Sequence, residues 1–272
     1  MLREAGKSAT SKSYMWLYRT SGCAEHSIVL YEYQEDRKAK HAEEFLDGFS
    51  GWLHADRYQG YHKLPERIRV VGCAAHARRK FDEALTALPK EQQRTSKAAE
   101  ALCYFAKLFQ LEQSFAELKP EERYTKRLEQ AKPVLDALLA WANDLIPRTA
   151  PKSALGKALH YLKEQWPYLV RYLEDGRLEL SNNRAERSIK PFVMGRKGWL
   201  FSNTPVSAVI YSLIETAKEN VMDPYRYLLW VLESAPAMAL EGDARAGMLT
   251  PANAPETCKI PKETQPNETN EY

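Results

Sequence analysis

The alternation of apolar and polar positions changes character twice along this chain. Short aromatic and apolar runs come first: Tyr14-Met-Trp-Leu-Tyr18, then Ser27-Ile-Val-Leu-Tyr-Glu-Tyr33, with Ser21-Gly22 between them. Two such runs around a turn signal predict a β-hairpin. Lys40–Phe49 carries Ala42, Phe45, Leu46 and Phe49 at helical spacing. Trp52–Asp56 and Ile68–Gly72 read as two further strands, with Asp56 at the C-terminal end of the first. The second runs into a helix whose stripe is Phe81, Ala84, Leu85 and Leu88.

From about residue 91 to 175 the strand signals stop. Ala98, Leu102, Phe105 and Phe109 form one helical stripe. Leu128, Leu135, Leu138, Leu139 and Leu145 form another, interrupted by Pro133. Leu155, Leu159, Leu162 and Trp166 form a third, which Pro167 is expected to bend or end. Two more helices start at Pro205 and Pro224, each with proline at the favoured first position. From Ala235 the chain turns rich in Pro, Thr, Glu and Asn, which predicts a disordered tail over 235–272.

Composition narrows the class. At 272 residues and 44% hydrophobic content, the chain holds one large domain or two small ones, with enough apolar material for a core. No apolar run approaches the roughly 20 residues of a membrane span, and the first residues lack the apolar centre of a signal peptide. A cytoplasmic protein is expected. The four cysteines (Cys23, Cys73, Cys103, Cys258) are scattered, which fits reduced thiols better than a disulfide framework. A net charge of +3 permits nucleic-acid binding without arguing for it. The positive charge is concentrated at Arg67–Lys80 and Arg184–Lys197, however, and local clusters bind phosphates whatever the total.

The second cluster lies in Leu180-Ser-Asn-Asn-Arg-Ala-Glu-Arg-Ser-Ile-Lys-Pro191, followed by Phe192-Val-Met-Gly-Arg-Lys-Gly-Trp199. Ser181 or Asn182 can cap a helix here. Such a helix puts Asn183, Glu186 and Lys190 on one face, with Arg184 and Arg187 beside it. Pro191 is expected to kink or end it, leaving Arg196-Lys197 in a glycine-flanked loop. Spacing alone leaves two readings. One is a solvated helix end with an ordinary Glu186–Lys190 pair. The other makes Glu186 a metal-binding carboxylate among cations that grip nucleic acid. Phosphodiester chemistry often uses two divalent cations about 4 Å apart. Magnesium takes hard oxygen ligands, so the second reading needs a distant partner carboxylate. Asp56 is the candidate, since a strand end is rigid; a turn or capping role is its alternative. His54 shares the strand face of Asp56 and reads as packing or as support for it. Cys73 and His76 lack a partner pair for zinc, and Cys73 reads as a buried residue ending a strand. Trp199 is a candidate for stacking on a base, while Trp16, Trp52, Trp141, Trp166 and Trp230 read as core.

Three segments in order carry a resemblance: Leu53-His-Ala-Asp-Arg-Tyr-Gln-Gly-Tyr61, Val71-Gly-Cys-Ala-Ala-His-Ala-Arg-Arg-Lys-Phe81 and Ser181–Pro191. Together with Gly195–Phe201 and Ile214–Asn220, they resemble bacterial transposases of the insertion sequence 66 family, over about Lys12 to Glu233. The resemblance implies a DDE-class enzyme with an α/β, ribonuclease H-like catalytic domain. That domain is a mixed five-stranded sheet flanked by helices, in which two Asp and one Glu hold Mg²⁺ (or Mn²⁺). The second Asp corresponds to Asp56 and the Glu to Glu186. Arg184, Arg187, Lys190, Arg196 and Lys197 would then contact DNA phosphates.

The implied layout has a first core part over 1–90, a helical insertion over 91–175, a Glu-bearing helix and basic loop over 176–202, C-terminal helices over 203–234, and the tail. In the family the first Asp lies on a strand ahead of the Tyr14–Tyr18 run, whereas here no Asp precedes Asp36. The chain therefore reads as the C-terminal portion of a transposase, with the first strand missing and little activity by itself. Its expected partners are DNA, as transposon ends and target, and self or a full-length transposase. No membrane partner is expected, and the location is cytoplasmic and nucleoid-associated. Two alternatives remain from the sequence: a non-catalytic DNA- or transposase-binding remnant, and a ribonuclease H-like nuclease with another substrate.

Overall fold

The computed structural model describes residues 12–56, 58–199, 204–239 and 248–261. In chain order its main elements are β1 (Tyr14–Arg19), β2 (Val29–Gln34), α1 (Ala39–Phe45), β3 (Gly51–His54), β4 (Ile68–Val71), α2 (Ala74–Thr86), α3 (Lys90–Gln93), α4 (Lys97–Ser114), α5 (Pro120–Lys126), α6 (Lys132–Leu145), α7 (Ala154–Leu169), α8 (Asn183–Trp199), α9 (Pro205–Glu219) and α10 (Pro224–Ala239). The protein is mixed α/β and mostly helical. It divides into two compact units, one formed by the chain up to Arg37 and from Ala185 on, the other by Lys38–Arg184.

In the first unit β1 and β2 form the expected hairpin, antiparallel, with Tyr14 opposite Gln34 and Arg19 opposite Val29. Side chains alternate across a strand. Val29 and Tyr31 therefore share the face that packs on Phe192 of α8 and Ala208 of α9. The outer edge of β2 meets α9, whose hydroxyls replace a third strand. Ser212 Oγ accepts the Tyr31 N–H at 2.8 Å, and Thr216 Oγ1 accepts the Val29 N–H at 3.0 Å. Helix α9 itself starts as the sequence expects, with Pro205 in its first turn and Thr204 Oγ1 accepting the Ser207 N–H.

Two corrections belong to this unit. Pro191 does not end α8, which continues to Trp199, so residues 195–199 are helical and not a loop. Phe192 (3% exposed) explains the continuation, since its burial against Tyr31 and Tyr211 offsets the bond that proline cannot make. Residues within the stretch expected to be disordered are also folded. Helix α10 runs on to Ala239, and 248–261 folds against α9 and α10. There Cys258 is buried, the Asp223 N–H donates to Cys258 O, and the Ile260 N–H donates to Val221 O.

In the second unit β3 and β4 pair in parallel, Gly51 opposite Ile68 through His54 opposite Val71. The Ala55 N–H extends the ladder to Val71 O at 3.1 Å. Helices α2, α4, α6 and α7 close one core with Val71, built on Phe81, Phe105, Leu108, Leu138, Leu159 and Leu162. The stretch read as an insertion thus shares its core with α2. The two prolines sit differently. Pro133 sits in the first turn of α6, after a π-helical turn over Arg127–Ala131, and Pro167 lies inside α7. At the end of β4, Gly72 lies against the backbone of α7. Its N–H donates to Tyr168 O, and a Cβ there would come within 3.1 Å of Leu169 N.

The resemblance implies a mixed five-stranded sheet whose first strand this chain is expected to lack, and a single sheet does not form among the described residues. Among the described residues the strands make two separate two-stranded sheets, β1–β2 and β3–β4.

Candidate functional site

Asp56 stands two residues beyond β3, where the ladder has just been extended through Ala55. Its Oδ1 accepts the Tyr58 N–H at 2.9 Å, so the carboxylate also shapes the turn it sits in. The turn role raised from sequence is therefore real, and it fixes the side chain's direction. His54 donates Nε2–H to Gly72 O across 2.9 Å. A carbonyl only accepts, which assigns the tautomer with the proton on Nε2. Burial holds the His54 pKa below its ordinary value, with neighbouring His76 acting the same way and Glu179 and the Gly72 carbonyl opposing it. A neutral imidazole thus braces the end of β3 against the β4–α2 turn.

The same turn receives the chain from 178–182. The Ala74 N–H donates to Leu180 O at 3.0 Å, and the Asn182 N–H reaches Cys73 Sγ at 3.4 Å. Cys73 is buried and occupies the cap position of α2, in line with a structural role. Asn182 does not cap α8 with its side chain, because its Oδ1 is buried without a hydrogen-bond partner. The sequence reading missed Glu179. Its carboxylate pairs with Arg184 at 3.0 Å, so this guanidinium, expected on phosphate, bonds within its own unit. The only available signal was an acidic residue between Leu178 and Leu180, one step ahead of the motif.

Glu186 belongs to the other unit, in the first turn of α8, where a carboxylate is favoured by the helix dipole. Arg187 and Lys190 are exposed, as a phosphate-contacting role requires. Arg196 and Lys197 lie in the last turns of α8, and their side chains, with that of Trp199, fall outside the described residues. The other face of α8 is tied down by residues that spacing did not single out. Arg19 donates to Ser188 Oγ at 2.6 Å and to both carboxylate oxygens of Glu219, at 3.0 and 2.8 Å. The Tyr31 hydroxyl donates to Ser188 O.

Carboxylate oxygens are the hard donors that Mg²⁺ prefers, and water completes its shell. The donor chemistry of Asp56 and Glu186 fits such an ion. Among the described residues no group of three or more His, Cys, Asp or Glu side chains gathers to hold a metal. No helix among the described residues is long and apolar enough to cross a membrane.

Comparison with known proteins places these features in a lineage. The family described as "Transposase IS66 family" matches residues 1–210, and "IS66 C-terminal element" matches residues 212–243. Uncharacterized proteins of Sinorhizobium fredii (strain NBRC 101917 / NGR234) are similar. The protein y4hP is 29% identical over 239 residues, covering 80% of this chain and 43% of its own length. The protein y4jD is 34% identical over 219 residues, covering 75% of this chain and 42% of its own. The protein y4qI is 28% identical over 241 residues, with 82% and 44% covered. The chain thus spans less than half the length of these curated relatives. No solved structure matches it. The chain belongs to the IS66 family of transposases.

Proposed function

We propose that this chain forms part of a ribonuclease H-like catalytic domain that cuts and joins DNA in transposition. The observation that carries the reading is the placement of Asp56 directly beyond a parallel strand, on backbone held by Ala55 and His54. A metal-holding carboxylate needs such a seat. Glu186 is the second carboxylate, on the first turn of α8. Asp56 and Glu186 would hold Mg²⁺ or Mn²⁺, which supplies activation of the attacking oxygen and charge neutralisation at the leaving oxygen. Arg187, Lys190, Arg196 and Lys197, with Arg184 once released from Glu179, would contact phosphates of transposon ends and target. Such contacts position DNA without reading its sequence.

Self-association, or pairing with a full-length transposase, would bring a further carboxylate to these two. The 272 residues alone contribute two carboxylates, so this chain by itself nicks DNA poorly or not at all. The test is a Mg²⁺-dependent nicking and strand-transfer assay on element-end DNA, using a full-length transposase of the family into which these residues are built and, separately, the chain alone. Asp56→Ala and Glu186→Ala should each lower nicking by the longer protein by about a thousandfold or more, while DNA retention persists. Wild-type rates in either variant would refute the assignment. Robust nicking by the 272 residues alone, abolished by Glu186→Ala, would refute the dependence on a third carboxylate.

A second reading, a non-catalytic DNA-binding remnant, draws on the exposure of Arg78, Arg79, Arg187 and Lys190. It expects DNA binding that falls steeply with salt, without cleavage in any context.

A further inference from the structure

Helix α8 carries Glu186 on one side and is fastened to the hairpin by another. Successive residues turn about 100° round a helix, so Ser188 lies roughly 160° from Glu186 on the short way round. Ser188 is 5% exposed and is held at both of its oxygens, the hydroxyl by Arg19 and the carbonyl by Tyr31. Phe192, about 40° round the helix from Ser188, packs on the hairpin from the same side. Packing of apolar side chains tolerates small rotations of a helix about its axis. Directional hydrogen bonds do not.

Arg19 is the centre of this fastening. Its side chain is 5% exposed, and it spends one guanidinium nitrogen on Ser188 while both terminal nitrogens grip Glu219 near the end of α9. Its Nε–H meets Thr20 O at 3.2 Å, so the base of the fork is fixed to the strand end. A planar guanidinium presents its donors in a rigid fan, which lysine cannot copy. One residue of β1 therefore sets α8 against α9 and both against the hairpin.

We propose that Arg19 is a positioning residue for Glu186: by binding Ser188 and Glu219 together, it fixes the rotation of α8 and hence the direction in which the Glu186 carboxylate is presented. This rests on the reading of Glu186 as a metal-holding carboxylate. The role assigned to Arg19 is exercised through α8. Its role is to remove a rotational freedom that would otherwise blur the carboxylate's position, and a site loose by an ångström loses much of its function.

The test uses the 272-residue chain with Arg19→Met, Arg19→Lys, Ser188→Ala and Glu186→Gln, Mn²⁺ alone as the probe, and amide hydrogen exchange as a second readout. Arg19→Met should lower the protection of α8 amides around 188–193 by about tenfold, the scale of losing charge-assisted bonds, while the β1–β2 ladder stays protected. It should weaken Mn²⁺ binding by about the same factor as Glu186→Gln, and Arg19→Lys should restore only part of either loss. If Arg19→Met unfolds the hairpin, Ser188→Ala decides, with a smaller loss of α8 protection expected in a folded chain. Wild-type protection of α8 in folded Arg19→Met, or in Ser188→Ala if the first is unfolded, would overturn the proposal. Equal Mn²⁺ binding by wild type and Glu186→Gln would instead overturn the metal reading, and the exchange comparison would still judge the positioning role.

Discussion

Thr216 closes both backbone groups of Val29: its Oγ1 accepts the Val29 N–H at 3.0 Å and donates to Val29 O at 3.0 Å. A strand edge normally needs another strand, and an open one invites aggregation. Here one helical hydroxyl does what a neighbouring strand does; one turn earlier Ser212 Oγ accepts the Tyr31 N–H, while its own proton goes to Ala208 O. Threonine at this position is therefore not replaceable by its isostere. Thr216→Val keeps the shape but leaves a buried N–H and C=O unpaired, and should lower stability by about 2–4 kcal/mol. Thr216→Ser should cost less than half as much. Urea unfolding of the three proteins checks the order, and equal stability of Thr216→Val and wild type would show that the edge is satisfied some other way.

Arg127 is the most deeply buried charge among the described residues, at 1% exposure. It pairs with Glu112 at 2.6 Å, lies over the Tyr172 ring and donates to the carbonyls of Tyr172, Asp175 and Leu178. The pair thus holds the segment that leads into Leu180 and Asn182 at the β4–α2 turn. Removing one partner strands the other charge in a low-dielectric interior. Arg127→Met should cost about 3–5 kcal/mol. The double change Arg127→Met with Glu112→Leu should recover part of this, because it removes both charges, though not the three carbonyl bonds. Thermal or denaturant melts of the single and double variants measure the difference.

Much of this arrangement was legible in the chain, for reasons that are local. The hairpin follows from period-two alternation in Tyr14–Tyr18 and Ser27–Tyr33, and Asp56 from its place after a short apolar run. What was not legible depends on distant partners. Pro191 obeys no local rule, because Phe192 gains more from a pocket made by Tyr31 and Tyr211 than the helix loses at one bond. Asn182 has the chemistry of a cap, yet its N–H serves Cys73, a residue 109 positions away, and its Oδ1 goes unpaired. The burial of Cys258 could not be read from a polar tail, since one small apolar residue makes no period. Arg19, Arg127 and Glu179 were invisible for the same reason: a charge looks solvated until its partner is known.

Alkaline pH should loosen the packing of α10 against residues 248–261. The Tyr227 hydroxyl donates to Leu249 O at 2.7 Å inside the cluster that buries Cys258. Burial foremost, and then the charge of Cys258, push its pKa from 10.0 up to about 12. A raised acid pKa means that the folded form keeps its proton where the unfolded form has lost it. Stability from this group is thus whole below pH about 10 and declines as pH rises toward about 12, by an amount on the order of 2 kcal/mol. Other groups titrate in the same window, so the check is the difference between wild type and Tyr227→Phe. That difference should narrow with rising pH, and a constant difference would mean that Tyr227 titrates normally.

Gly72 joins the seat of Asp56 to the helical core, and a single methyl group should disturb both. Its carbonyl receives the His54 Nε2–H, its N–H is bound to Tyr168 O, and a Cβ would meet Leu169 N at 3.1 Å and the Tyr168 carbonyl carbon at 3.2 Å. The obstacle is the backbone of α7 rather than a movable side chain, so either α7 or the β4–α2 turn must shift by a few tenths of an ångström. Gly72→Ala should lower stability by about 1–3 kcal/mol, the usual range for overpacking, and truncating Tyr168 should not rescue it. The shift has a local reporter as well. Moving the Gly72 carbonyl lengthens its bond to His54, so the imidazole nitrogen resonances should change in Gly72→Ala more than in a variant of equal destabilisation placed in α4. An unchanged His54 spectrum together with full stability would show that the turn has room that the close approach of α7 denies it.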